Sequence, residues 1–345
     1  MDSKNRNKLR AEFITLMRGF YSLPILVNLH KEGILKKLSL NNYTDIKNLK
    51  FKNQFFIEKV LKYLTRLDIL QNKKTKFRYT NLGFKISKRI GTFYILNSYS
   101  KIPLNFSNNL KENQKFKNWC ERKDNILGSG LIHYKKFFIP SLKISNFKIK
   151  KDILDIGCGD GTFLNLVKKS NPNIRVLGCD LSNKSVSQTK KNLRLKEKDF
   201  IFRVDGSDIE LIKKKLDKKK IFLGKDSIIS LWFLLHEISG NSKQILVKYL
   251  SKIRRSFPET SILIGEISSL SEKQMKKHNK ISILPEFTLF HELSGQGLLS
   301  ELDYFSIFKQ SSYSVKKIIR TDKLQFNGIS SSSNFICLIE PIKYG

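Results

Sequence analysis

Apolar residues recur at helical spacing near the start of the chain: Phe13, Leu16, Met17, Phe20 and Leu23, then Ile25, Leu26, Leu29 and Ile34. Positions three and four apart share one face of a helix. Residues 9–40 therefore read as mostly helical, with a break or kink near Pro24, whose nitrogen carries no hydrogen for the helical ladder. A further helix is predicted over residues 53–67. Then come Leu67–Gln71, a polar turn at Asn72–Lys76 and Phe77–Thr80, which together read as a β-hairpin. Thr80-Asn81-Leu82-Gly83 leads into another helix, and residues 85–147 read as amphipathic and mostly helical.

The texture changes at Lys151. Short apolar runs now alternate with polar, lysine-rich helical stretches: Ile153–Ile156, Arg175–Cys179, Phe200–Val204, Ser227–Leu231 and Ser261–Ile264. Strands alternating with helices predict a parallel sheet covered on both faces, an α/β architecture. Two late runs, Ser314–Ile319 and Ser332–Ile339, are expected to close it as an antiparallel pair.

At 345 residues the chain fits two domains, and 40% hydrophobic residues are enough for ordinary globular cores. Ile228–Leu235, the longest apolar run near the middle, falls far short of the roughly 20 residues that span a bilayer. No signal-peptide pattern follows the opening Met-Asp-Ser-Lys-Asn-Arg. A cytoplasmic protein with no membrane partner is expected. Cys120, Cys158, Cys179 and Cys337 lack the spacing of a zinc site or a disulfide framework. The net charge of +35 raises a polyanionic partner, but the lysines are spread along the chain. The densest run, Lys213–Lys220, has no interleaved aromatics on which bases would stack. Nucleic acid is therefore not the expected partner.

The candidate chemistry begins at Ile153-Leu154-Asp155-Ile156-Gly157-Cys158-Gly159-Asp160-Gly161-Thr162, a strand ending in a glycine turn that opens a helix. Glycines let the backbone turn tightly and come close to a ligand, and the helix start behind them offers unpaired amides. Asp155 precedes the turn, Asp180 ends the next strand, and Asp205, followed by Gly206, ends the one after. A carboxylate suits a pair of ribose hydroxyls, and an acceptor suits the adenine amine. This set, over Lys151 to about Ser268, resembles the class I methyltransferases that use S-adenosylmethionine (SAM). The resemblance implies a Rossmann-like sheet with SAM as cofactor. Gly157, Gly159 and Gly161 would lie against its methionine part, Asp180 would hold the ribose, and Asp205 and Gly206 would lie near the adenine.

Ligands of open α/β sheets bind at the carboxyl ends of the strands. The residues just beyond the fourth and fifth strands should therefore face the substrate: Leu235-His236-Glu237 and Gly265-Glu266. A second His-Glu pair, His291-Glu292, ends a hydrophobic segment further on. The whole chain is similar to the small-molecule methyltransferases of the dimerising O-methyltransferase type. Phe56–Leu64 and Tyr79–Gly83 match their winged-helix domain, and Leu235-His236-Glu237 with Lys243–Leu246 matches their catalytic histidine segment. That resemblance implies a homodimer with three parts: a winged-helix dimerisation domain over 1–100, a helical linker over 101–147 contributing to the pocket, and a SAM-binding domain over 148–345. Tyr134 lies in a segment that in the family lines the SAM methyl pocket, so it joins His236 and Glu266 as a catalytic candidate.

Two mechanisms compete for these residues. In one, a metal-free O- or S-methylation, His236 is the general base that takes the proton from a substrate hydroxyl and Glu266 orients its ring. In the other, His236, Glu266 and His291 hold a divalent metal, iron or zinc, that chelates a 2-oxo acid and stabilises its enolate for C-methylation. The second pattern resembles the α-keto acid C-methyltransferases, and His291 is the residue that favours it. That reading, with a small organic acid as substrate, is the leading expectation.

Overall fold

The computed structural model describes residues 3–49, 51–111, 120–147, 150–240, 242–278, 282–321, 324–326, 329–331 and 333–342. Parts of the expected linker (112–119) and Ser332 of the last predicted strand lie outside them. The chain separates into two compact units, the main part of the first ending at Ile132 and of the second beginning at His133.

The first unit opens on a helix, Ser3–Lys31, that continues through Pro24, so of the expected break or kink there the break does not occur. Its apolar face also divides. Leu26, Val27 and Leu29 are buried, whereas Phe13, Leu16 and Phe20 are 62%, 77% and 62% exposed. Periodicity identifies a stripe but not what the stripe faces. The helix Gln54–Arg66 starts where the Asn53 side chain accepts from Phe56 N, and it buries Ile57, Leu61 and Leu64 one turn apart. Three short strands follow the order β1-β3-β2: β1 (Thr44–Asp45), β2 (Leu70–Lys73) and β3 (Lys76–Tyr79). The β2–β3 hairpin turns at Lys74–Thr75, inside the predicted polar stretch. Thr80 then caps the next helix, Asn81–Ser87, by accepting from Gly83 N. Helix, hairpin and helix make a winged helix. Its core joins Leu61, Leu64, Phe77 and Tyr79 to Leu26 and Leu35. Each fully buried side chain of this size contributes about 1.5–3 kcal/mol.

The second unit is a seven-stranded sheet. Its strands are β4 (Asp152–Ile156), β5 (Arg175–Asp180), β6 (Phe200–Arg203), β7 (Ser227–Trp232), β8 (Ser261–Ile267), β9 (Tyr313–Arg320) and β12 (Asn334–Pro341). A separate small hairpin is formed by β10 (Leu324–Phe326) and β11 (Ile329–Ser331). The order is β6-β5-β4-β7-β8-β12-β9. The first five strands pair in parallel, and β12 runs antiparallel to both β8 and β9. Every predicted strand is present, with its ends shifted by up to three residues. Strands β4, β7 and β8 are buried on both faces, which explains their unbroken apolar runs. This is the Rossmann-like fold. Strand order reverses between β4 and β7, and the glycine turn follows β4, at the switch point where open sheets take ligands. Among the described residues no helix is long and apolar enough to cross a membrane.

Candidate active site

The glycine turn is fastened on three sides. Gly157 N and Cys158 N both donate to Cys179 O, at 2.8 and 2.9 Å, tying the turn to the end of β5. Asp180 accepts from Gly159 N (3.0 Å) through one oxygen and from Ser182 N (2.8 Å) through the other. The Thr189 hydroxyl donates to Gly159 O at 2.8 Å. Gly159 and Gly161 have φ of +56° and +78°, where side chains are disfavoured. A Cβ on Gly161 would stand 2.7 Å from the Thr189 methyl, whereas one on Gly159 would meet nothing within 4 Å. One side of the turn is thus packed and the other open.

The three predicted acids differ in setting. Asp155 is opposite Ser230 in the β4–β7 register and accepts its hydroxyl at 2.6 Å. Burial pushes its carboxyl up to about 7, against the Ser230 hydrogen bond and with a smaller push from Asp180. Asp180 is half-buried at the end of β5. Asp205 is exposed beyond β6 and accepts from the amide and hydroxyl of Ser207 (2.9 and 2.7 Å). Tyr249 donates to Gly206 O at 3.0 Å, fixing the residue after Asp205.

At the carboxyl ends of β7 and β8 stands a buried pair. His236 lies in the short helix Leu235–Ser239, and its Nδ1 is 2.7 Å from Glu266 Oε1. Glu266, fully buried in β8, also accepts Ile267 N (2.9 Å) on Oε1, and Leu235 N (3.0 Å) and His236 N (3.3 Å) on Oε2. The carboxylate therefore caps the start of the helix that carries the histidine it holds. A carboxylate oxygen only accepts, so Nδ1 is the donor in the His236 bond and the lone pair belongs to Nε2.

His291, buried in the helix Leu284–Ser294, meets the His236 ring edge to face, with centroids 5.0 Å apart. Its Nδ1 is 2.6 Å from Phe287 O, and the Phe287 ring lies 3.9 Å from its own. Burial, then His236, lowers its pKa to about 3, so it is neutral at physiological pH. The structure does not form the expected three-ligand metal face. Four hydrogen bonds occupy the four lone-pair directions of Glu266, leaving it none for an ion. Among the described residues no three His, Cys, Asp or Glu side chains are grouped to hold a metal.

Tyr134 is half-buried against a cluster that includes Phe137, Phe138 and Phe163. Its hydroxyl has no hydrogen bond among the described residues. Glu237 and Glu292 are exposed. Sequence reasoning missed His133, which had no acidic neighbour or motif to mark it. It is 8% exposed, and its ring stacks on Phe233 with centroids 3.6 Å apart and planes 17° from parallel. Phe233, three residues before His236, has φ +53°, a left-handed conformation costing about 1–2 kcal/mol for a residue with a Cβ. A π-helical turn, Tyr134–Phe138, begins directly after His133 and packs Phe137 on the Phe233 ring and Phe138 on Trp232. Such turns and left-handed residues gather at functional sites.

Comparison with known proteins agrees with both units. Residues 18–123 match the AprA winged helix domain model, and residues 154–257 match a methyltransferase domain model. No curated protein matches the sequence. Among solved structures, the mitomycin 7-O-methyltransferase MmcR is similar at 12% identity, covering 99% of this chain and 100% of its own, with a TM-score of 0.64. Human N-acetylserotonin methyltransferase in complex with SAM is 13% identical, with 99% of each chain covered and a TM-score of 0.64. CalO1, a methyltransferase in calicheamicin biosynthesis bound to SAH, is 14% identical over 99% of each chain, with a TM-score of 0.60. At these identities the likeness is one of fold.

Proposed function

From the premise that this chain is a SAM-dependent methyltransferase, we propose that it methylates a hydroxyl group of a small molecule, with His236 as general base, and that it belongs with the dimerising O-methyltransferases. The carrying observation is the buried His236–Glu266 pair at the carboxyl edge of the sheet. Glu266 fixes the tautomer with Nδ1 protonated, which makes Nε2 the basic atom. The acceptor oxygen attacks the methyl carbon of SAM. The carbon–sulfur bond breaks with its electron pair going to sulfur, which leaves as the thioether of S-adenosylhomocysteine (SAH). The hydroxyl proton passes to His236 Nε2. Asp180 holds the ribose, Asp205 and Gly206 lie at the adenine, and the open side of the turn at Gly159 takes the methionine part. A homodimer through the winged-helix unit is supported by that unit's family match and by the exposed stripe of Phe13, Leu16 and Phe20.

The test is methyl transfer from radiolabelled SAM to a panel of hydroxylated aromatics and 2-oxo acids, with NMR assigning the methylated atom. His236→Ala is expected to lower kcat about 10²–10⁴-fold, the usual worth of a general base, while SAH still binds. Full activity in that variant would refute the role.

A second reading, C-methylation of a 2-oxo acid on a divalent metal, retains one supporting observation: the His236–His291 ring contact. With Glu266 committed to hydrogen bonds, the two imidazoles would have to hold the ion alone, and the ion would supply stabilisation of the enolate. Elemental analysis of wild type beside His291→Ala decides it. About one metal per chain, lost in the variant, supports this reading; background levels in SAH-binding protein remove it.

A further inference from the structure

His133 presents a problem that its surroundings do not solve. A neutral imidazole has one N–H donor and one acceptor nitrogen, and buried groups of this kind are normally paired. Burial first, then His236 and Lys136, lowers its pKa to about 3, so the ring is uncharged in use. Phe233 covers one ring face, and Phe137 and Phe138 approach at steep angles with centroids 5.3 and 6.4 Å away. All three neighbours are hydrocarbon. Among the described residues neither ring nitrogen has a hydrogen-bond partner. The residue is 8% exposed, so a small part of it can still be reached from outside.

The position gives this meaning. Phe233 links β7 to the helix carrying His236, at the edge of the sheet where the acceptor must lie. We propose that His133 is a substrate-binding residue: its imidazole pairs with an uncharged polar group of the acceptor, a hydroxyl, carbonyl or amide next to the oxygen that is methylated. The proposal rests on the reading of His236 as the base at the acceptor. An uncharged ring in a hydrocarbon wall offers a hydrogen bond but no countercharge, so it favours a neutral neighbouring group over a carboxylate. An acceptor without that group leaves the imidazole unpaired, which is how a polar site rejects an analogue lacking its partner.

Three probes separate the possibilities: catechol carries a neutral adjacent hydroxyl, salicylate an adjacent carboxylate, and phenol neither. kcat/KM for methyl transfer to each is measured with wild type, His133→Phe, which keeps the stacking shape, and His133→Asn, which keeps a donor and an acceptor. SAH affinity is measured for all three proteins by calorimetry. Wild type is expected to favour catechol over phenol and salicylate by about 10–100-fold. In His133→Phe the catechol value should fall to that of phenol, and His133→Asn should recover part of the preference. Equal treatment of catechol and phenol by wild type would overturn the proposal. So would a preference that survives in His133→Phe, or a parallel loss on both probes, which marks a structural role. A loss of SAH affinity would place His133 on the cofactor instead. His236→Ala, run alongside, tests the base separately: if it still methylates while His133→Phe loses its selectivity, the base reading alone fails.

Discussion

Asp155 and His133 titrate in opposite senses, and each has a consequence for stability. The Asp155 carboxyl stands at about 7 in the fold against an ordinary 3.8. A raised carboxyl pKa means the folded state holds a proton that the unfolded chain has lost, so its stabilising contribution is complete below about 3.8 and is lost as pH rises through 7. His133 stands at about 3 against 6.5, so its contribution is complete above 6.5 and is lost as pH falls toward 3. Asp155→Asn, uncharged throughout, should be more stable than wild type at pH 8 by on the order of 1–3 kcal/mol, with no advantage near pH 4. His133→Asn should flatten the acid limb. Urea unfolding at pH 4, 5.5, 7 and 8 checks both, and curves that stay parallel to wild type would contradict them. Legibility at this scale divides along the same lines. The places of Asp180, Asp205, His236 and Glu266 at or just beyond strand ends were legible from the alternation of strands and helices. Ser230 became a partner of Asp155 only through the register of β4 and β7, and His133 gained its setting from a π-helical turn that no local pattern announces.

The glycine turn is the element that sequence described best, because positive φ and a helix start leave few alternatives to glycine. What sequence left open is which glycine serves packing and which serves the ligand. The two should respond differently to alanine. Gly161→Ala drives a methyl into Thr189 at a strained φ and should cost about 1–3 kcal/mol of stability. Gly159→Ala meets no neighbour, so it should cost about 1 kcal/mol while weakening SAM binding tenfold or more, its methyl standing on the open side. Urea unfolding and calorimetric titration with SAM separate these effects. A Gly159→Ala protein that binds SAM as tightly as wild type would show that the open side is not the cofactor's. The opening helix illustrates the opposite case. Its periodicity was plain, yet Phe13, Leu16 and Phe20 proved exposed and Pro24 did not end it. Spacing records that a face is apolar, whereas what covers that face is decided by the rest of the molecule.

Across the whole molecule, the alternation of strands and helices foretold the parallel sheet, and the closing antiparallel strands were visible as late apolar runs. Among the described residues the expected three-ligand metal face is not grouped. Its place beyond the fifth strand counted Glu266 among possible ligands, but tertiary pairing commits it to three amides and one imidazole. That commitment reaches beyond mechanism. One carboxylate serves as the keystone of a helix and as the support of the proposed base, so inheritance cannot tune the two duties separately. A descendant of this chain that abandoned methyl transfer would still be held to Glu266 by the need to keep Leu235–Ser239 in place. In such a lineage the acid would persist as architecture after the chemistry had gone, and His236 would be the first witness to the loss.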